Sequence, residues 1–445
     1  MKEEKLAKLQ EKVFDAYFKK TPMSKKIYDR ACKALVGGVS GNTRLMEPYP
    51  VYMTRGKGSK EYDVDGNEYI DCFLCAGPLL LGHCHPEIME GVKREVDRGL
   101  LLRNPDLAVE CAELLKEIVP CAEKVRFLNS GTEADMIAVR IARGFTRKNK
   151  IIKFYGHYHG QDDQFLIATT NNKDEVNSLG IPQESLRNTI LLKYQDIDSI
   201  RRKLDEDDDI AGVILDPIMT NGGIWPPSPE YLKELRQLTK ERGVVLIFDE
   251  VITGFRLSLG GAQEYYGVIP DLAVYSKAIA AGEKLGAVAG KEDMMSVIHS
   301  GKAVSQSGTF VDGIPALAAA IAAMKVYKKL NEKGEYQKLF QLSDKLKWGI
   351  KKAFGQREIP CHVNQIGPCL HLYITDLEPR FEAYCNLDKR ISYLFFLSLI
   401  SEGVFLSWPS AEMTFLSFAH TDEDVQRVID SINSSLSKYK FEEVI

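Results

Sequence analysis

Three stretches of this chain carry an apolar run up to a side chain that can do chemistry. In "DLAVYSKAIAAG", residues 271 to 282, the run stops at Ser276 and Lys277. In "VVLIFDEVITGF" five apolar residues precede Asp249 and Glu250. In "VRFLNSGTEADMIAVRIARGF" a strand-like run passes through Ser130, Gly131 and Thr132 into a helical pattern. Ligands of open α/β sheets bind beyond the carboxyl ends of the strands, which is where all three features fall. A lone lysine is most often a solvated surface residue, so the weight lies on the combination.

Each feature suggests its own chemistry. Ser130 with Glu133 three residues later is a capping-box signature, and Ala134, Ile137, Ala138, Ile141, Ala142 and Phe145 form one apolar helix face behind it. A helix start offers unpaired N–H groups and a positive dipole end, and glycine lets an anion come close, so phosphate is the natural ligand. A carboxylate leaving a buried strand needs a partner: a metal, a proton in general-base chemistry, a cationic ring nitrogen or a structural salt bridge. An anion-binding turn, a carboxylate and a lysine together are what pyridoxal phosphate requires. The turn holds the phosphate, the carboxylate keeps the pyridine nitrogen protonated and the lysine forms the Schiff base.

The elements that must position these residues are legible between residues 125 and 290. Short β-branched runs, 125 to 129, 151 to 154, 211 to 216, 244 to 249 and 272 to 276, alternate with helical stretches. That alternation predicts an α/β fold, a mostly parallel sheet covered on both faces. The first 75 residues read as a helix, a loop and a hairpin with an Asp-Gly turn in "DVDGNEY". Helices and short strands resume after about residue 330. The expected organisation is a large domain over 76–329 and a smaller α+β domain built from both chain ends, 1–75 and 330–445.

At 445 residues two lobes are expected, and a formal charge of -4 gives no basic footprint for nucleic acid. Leu6, Leu9, Val13, Phe14 and Tyr17 give the N-terminal stretch one apolar helix face, without the core of a signal peptide. The run "YLFFLSLI" is too short to cross a membrane. A soluble cytoplasmic protein is the expectation. The nine cysteines are scattered; "CFLC" and "HCH" invite a zinc reading, but no second ligand pair completes a site, so no metal is expected.

The chain resembles the class III (ω-type) aminotransferases and, within them, the glutamate-1-semialdehyde 2,1-aminomutase subgroup. The matching segments include "GGVSGNTR", "DVDGNEYID", "GPLLLGHCHP", "NSGTEADMIAVRIARGFT", "KFYGHYHG", "LIFDEVITGFR", "PDLAVYSKAIAAG", "SQSGTFVDGIPALAAA" and "LSFAHTDEDV". The resemblance implies fold type I, with Lys277 as the Schiff-base lysine and Asp249 as partner of the ring nitrogen. It puts Ser130, Gly131 and Thr132 at the phosphate, Tyr158 stacked on the ring, and His159 and Asn221 beside the cofactor. It also implies a homodimer in which Thr309 reaches the other subunit's phosphate, and a substrate carboxylate held by Arg44 with Glu412 as that arginine's partner.

Several positions depart from the aminomutase pattern. Ala76 stands where tryptophan usually precedes "GP", Asp216 where glutamate is usual, and "GEKLGA" lacks the usual proline. The stretch "QDDQFLIATTNNKDEVNSLGIP", normally a glycine-rich lid, has its only glycine at 180. A lid without hinges traps an intermediate poorly. The expectation is therefore an aminotransferase moving nitrogen from a small carboxylated amino substrate to an oxo acid, with the intramolecular aminomutase as the alternative and an epimerase behind it. A non-catalytic regulator is disfavoured because Lys277 and Asp249 are both present and the N-terminal stretch leaves no room for a DNA-binding domain.

Overall fold

In the computed structural model, which describes residues 2–169, 172–299, 304–407 and 413–445, seven strands form the sheet that carries the strand-end residues. They are β1 (Lys124–Leu128), β2 (Lys150–Phe154), β3 (Thr189–Leu192), β4 (Ile210–Leu215), β5 (Val245–Asp249), β6 (Leu272–Tyr275) and β7 (Gly286–Gly290). Their spatial order is β1-β7-β6-β5-β4-β2-β3. From β6 to β3 all neighbours are parallel, whereas β7 runs antiparallel to both β6 and β1. Every residue of β4 and β5 is buried, which is why these strands read as unbroken apolar runs.

Two strands went unread in the sequence. The "GAVAG" of β7 lacks the β-branched density expected of a strand, because its neighbours leave no room for side chains. A Cβ on Gly286 would lie 2.3 Å from the Ser130 carbonyl oxygen, and one on Gly290 would lie 2.4 Å from Leu272 Cδ2. The "TILL" of β3 is a half-buried edge strand that follows a long polar segment. Helix α1 (Gly131–Thr146) packs its expected face, with Ala134, Ile137, Ala138, Ile141 and Ala142 buried, but Phe145 in its last turn is 38% exposed.

The chain divides into two units, one of residues 77–79 and 86–336 and the other of 1–76, 80–85 and 337–445. The sheet belongs to the first. The helix Ile314–Glu332 runs through the boundary read at 330, so the chain passes to the second unit only at residue 337. In that second unit the helix Lys2–Lys20 buries Leu6, Leu9, Val13 and Tyr17 and packs on Arg390–Ser401, the helix that contains "YLFFLSLI". The N-terminal hairpin is a three-stranded meander, Met53–Lys57, Lys60–Asp63 and Glu68–Asp71, joined in parallel by Val404–Phe405. No helix among the described residues is long and apolar enough to cross a membrane.

Candidate active site

Strands β5 and β6 pair in parallel with Asp249 opposite Val274, so Asp249 and Lys277 leave the sheet at the same end. Lys277 opens a short 3-10 turn, Lys277–Ala280, and holds a left-handed φ of 47°. A non-glycine residue kept in that region is strained, a condition that clusters at functional sites. Gly131, Thr132, Tyr158, Asn221, Asp249 and Lys277 line one cavity of about 170 Å³, together with Asp135, Gly160, Asp216, Val251, Ile252 and Ser276.

At the floor of this cavity two backbone segments meet closely. Ser130 caps helix α1 by accepting a hydrogen bond from the Glu133 N–H at 3.2 Å. The reciprocal half of the expected capping box is shifted by one residue: Glu133 Oε2 accepts from the N–H of Asn129, at 2.8 Å. Gly160 has φ +84°, and a Cβ there would sit 2.3 Å from Thr132 Oγ1; a Cβ on Gly131 would sit 3.0 Å from Val251 Cγ2. The Gln161 N–H donates to Thr132 Oγ1 at 3.2 Å. The helix start is thus bare backbone with hydroxyls at its edge, a cradle suited to a phosphate dianion.

The neighbouring acids of β5 part company. Glu250 is turned into the protein and accepts from Thr253 Oγ1, the N–H groups of Ala262 and Gln263, and Gln263 Nε2. Asp249 faces the cavity. Its Oδ1 accepts from the Val251 N–H at 3.0 Å, and its Oδ2 lies 2.7 Å from His159 Nδ1. Burial pushes the His159 imidazole well below its usual range, with Lys153 adding to the effect. The neutral ring therefore donates from Nδ1, and its buried Nε2 has no hydrogen-bond partner among the described residues. Burial raises Asp249 to about 7 against the pull of the Val251 N–H and Lys277. A cationic ring nitrogen facing Asp249 would supply the missing charge, so the residues present fit a phosphorylated pyridine.

Three polar residues of this region, Asp135, Asp216 and Lys153, escaped the sequence reading as site residues. Asp135 and Asp216 line the cavity and are buried. Asp216 accepts from the N–H groups of Ile218 and Thr220 and from the Thr220 hydroxyl, and its N–H donates to His157 Nδ1. Lys153 of β2 is fully buried, and its ammonium donates to the Ile167 carbonyl at 2.7 Å. For Asp135 and Lys153 a signal existed: each is a charge within an otherwise apolar face or run.

The remaining expected residues lie elsewhere. Thr309 is exposed and does not line the cavity. Arg44, in the second unit, is exposed at the end of a 3-10 turn, close enough to Cys75 and Glu61 to act on both. Glu412 lies outside the described residues. The tempting "CFLC" and "HCH" side chains have separate partners, Cys72 Sγ near His420 Nε2 and His83 Nε2 at 2.7 Å from Asp71 Oδ2.

Comparison with known proteins bears on this arrangement. Residues 43–372 match the model of the family "Aminotransferase class-III". The glutamate-1-semialdehyde 2,1-aminomutase of Natranaerobius thermophilus is 41% identical, covering 93% of this chain and 98% of its own. That of Archaeoglobus fulgidus is 38% identical, covering 94% and 100%. An omega-transaminase from Sphaerobacter thermophilus superposes with a TM-score of 0.86 at 31% identity over 94% of this chain and 98% of its own. With near-complete coverage and a cavity that suits the cofactor, the chain belongs to the class III aminotransferases, with pyridoxal 5′-phosphate as its cofactor.

Proposed function

We propose that this protein moves an amino group within one small carboxylated substrate, as a glutamate-1-semialdehyde 2,1-aminomutase. The observation that carries the reading is the 41% identity, over nearly the whole of both chains, to a protein of that name. It reverses the order of preference drawn from Ala76 and the glycine-poor segment, which favoured transfer between two molecules.

Pyridoxal phosphate, when bound, supplies an electron sink that acidifies the carbon bearing the substrate nitrogen. The chain's residues do the rest. Gly131 and Thr132 would hold the phosphate at the start of α1 with Ser130 beside them, and Tyr158 would stack on the ring. Asp249, steadied by His159, stabilises a proton on the ring nitrogen. Asn221, which lines the same cavity, would stand beside the cofactor. Lys277 Nζ, on a strained backbone that lines the cavity, would take and return the proton of the substrate carbon. Arg44 takes the substrate carboxylate through its planar fork. Thr309, exposed in one chain, serves the phosphate of a second copy, which makes the working form a homodimer.

A second reading, transfer to a separate oxo acid, rests on the segment expected to be a lid. Phe165 is fully buried, Ala168 exchanges backbone hydrogen bonds with Gly156 and Glu175, and Ile167 accepts from Lys153. A segment stitched down in this way closes over a released intermediate less readily. The deciding experiment supplies glutamate-1-semialdehyde alone to cofactor-primed enzyme. Sustained formation of the amino-shifted isomer supports the aminomutase. A single stoichiometric half-reaction that resumes only on adding an oxo acid supports the transaminase.

A further inference from the structure

Three carboxylates are buried around the cofactor cavity, and one of them is not provided for. Asp216 has its donors in Ile218 and Thr220, and Asp249 has Val251 and His159. Asp135, in the second turn of α1, is 1% exposed, and its Oδ1 is buried with no hydrogen-bond partner among the described residues. Its carboxylate, that of Asp249 and a ring nitrogen of His159 each place an atom within 4.8 Å of the others.

We propose that Asp135 and Asp249 share one proton across the cavity, Asp135 being the positioning acid that stays neutral so that Asp249 alone carries the charge facing the cofactor's ring nitrogen. The proposal rests on the cofactor site described above. Two buried carboxylates this close cannot both ionise without a cation between them. Donors decide which one does: two hydrogen bonds stabilise the anion of Asp249, whereas Asp135 Oδ1 has none. The other titratable groups agree. Asp216 and Asp249 both push Asp135 upward, as does its own burial, which comes first. Burial raises the Tyr158 hydroxyl, and Asp135 and Asp249 push it further in the same direction. His159 is held neutral, so it offers Asp135 no positive charge. Lys277 acts on Asp249, and Lys153 is felt by His159.

The test compares wild type with Asp135→Asn and Asp135→Thr, which keep polar volume without a titrating acid. Thermal stability of the cofactor-free protein is read from pH 5 to 8, and cofactor affinity by titration with pyridoxal phosphate. Burying an acid that must stay protonated lowers stability as pH rises, so the variants should melt above wild type, with the gap widening by about 2 °C or more toward pH 8. Cofactor affinity should stay within about threefold of wild type. Variants that melt below wild type at every pH, or lose more than about thirtyfold in affinity, would show that Asp135 works as an anion and would overturn the proposal. Failure of both variants to fold would overturn it too. If wild type bound no pyridoxal phosphate, the cofactor reading would fall, while the pH dependence of the cofactor-free protein would still decide whether the pair shares a proton.

Discussion

His159 Nδ1 and Asp249 Oδ2 lie 2.7 Å apart with both side chains buried, so the acid that lines the cavity is oriented by an imidazole that stays neutral. His159→Phe keeps a ring in the same space and removes the donor. The loss of one charge-assisted bond to Asp249 should weaken pyridoxal phosphate by about tenfold to a hundredfold without loss of secondary structure. A cofactor titration with circular dichroism checks this; unchanged affinity would mean that the hydrogen bond does not support the site.

Gly160→Ala places a methyl against Thr132 Oγ1, where the ideal separation is 2.3 Å, on a backbone at φ +84°. Either the loop or the start of α1 must shift. Cofactor affinity should fall by at least about tenfold, roughly 1.4 kcal/mol, and equilibrium dialysis would measure it. The same substitution at Gly180, also at positive φ but with open space around it, strains only the backbone and should leave cofactor binding unchanged.

Lys153 gives a pH dependence of definite sign. Burial lowers its ammonium to about 7, whereas in the unfolded chain it stays protonated until about pH 10.4. Between these limits the unfolded state holds the extra proton, so this group's contribution to stability rises with pH from about 7 upward. Below pH 7 the buried charge is at its most unfavourable. Lys153→Met should flatten the rise between pH 7 and 9 in urea unfolding, although it strips the Ile167 carbonyl of a donor. A rise that persists in the variant would assign it to another group.

Ala76 occupies the third of three successive left-handed residues, Leu74, Cys75 and Ala76 at φ 51°, 54° and 71°. Ala76→Trp adds side-chain volume to a backbone that already bears the left-handed conformation, so stability should change by less than about 1 kcal/mol. If this position bounds the substrate space, turnover of bulky amino substrates should drop more than that of small ones. Equal losses for both would remove Ala76 from the substrate pocket.

Residues that obey local rules were legible in the sequence. The five strands read from β-branched runs are present to within about a residue, since burial on both faces leaves composition little choice. The strand-end positions of Asp249 and Lys277 followed from the same runs, and Gly131 from its cap. Strand β7 was hidden because close packing against Ser130 and Leu272 selects glycine over strand-forming residues. Asp135 was legible only as a charge on the helix face it shares with Ala138 and Ala142; that this face borders a cavity there was set by the fold. His159's partner was out of reach altogether, since ninety residues separate it from Asp249 and only the fold brings them together.

The central claim is that Lys277 holds the cofactor. Borohydride reduction of the loaded protein, followed by peptide mass mapping, tests it most directly. A phosphopyridoxyl mass is expected on the peptide containing Lys277, and none on Lys277→Ala protein that still binds pyridoxal phosphate through the cradle at Gly131 and Thr132. A label on another lysine, or wild-type protein that takes up the cofactor without being labelled, would contradict it.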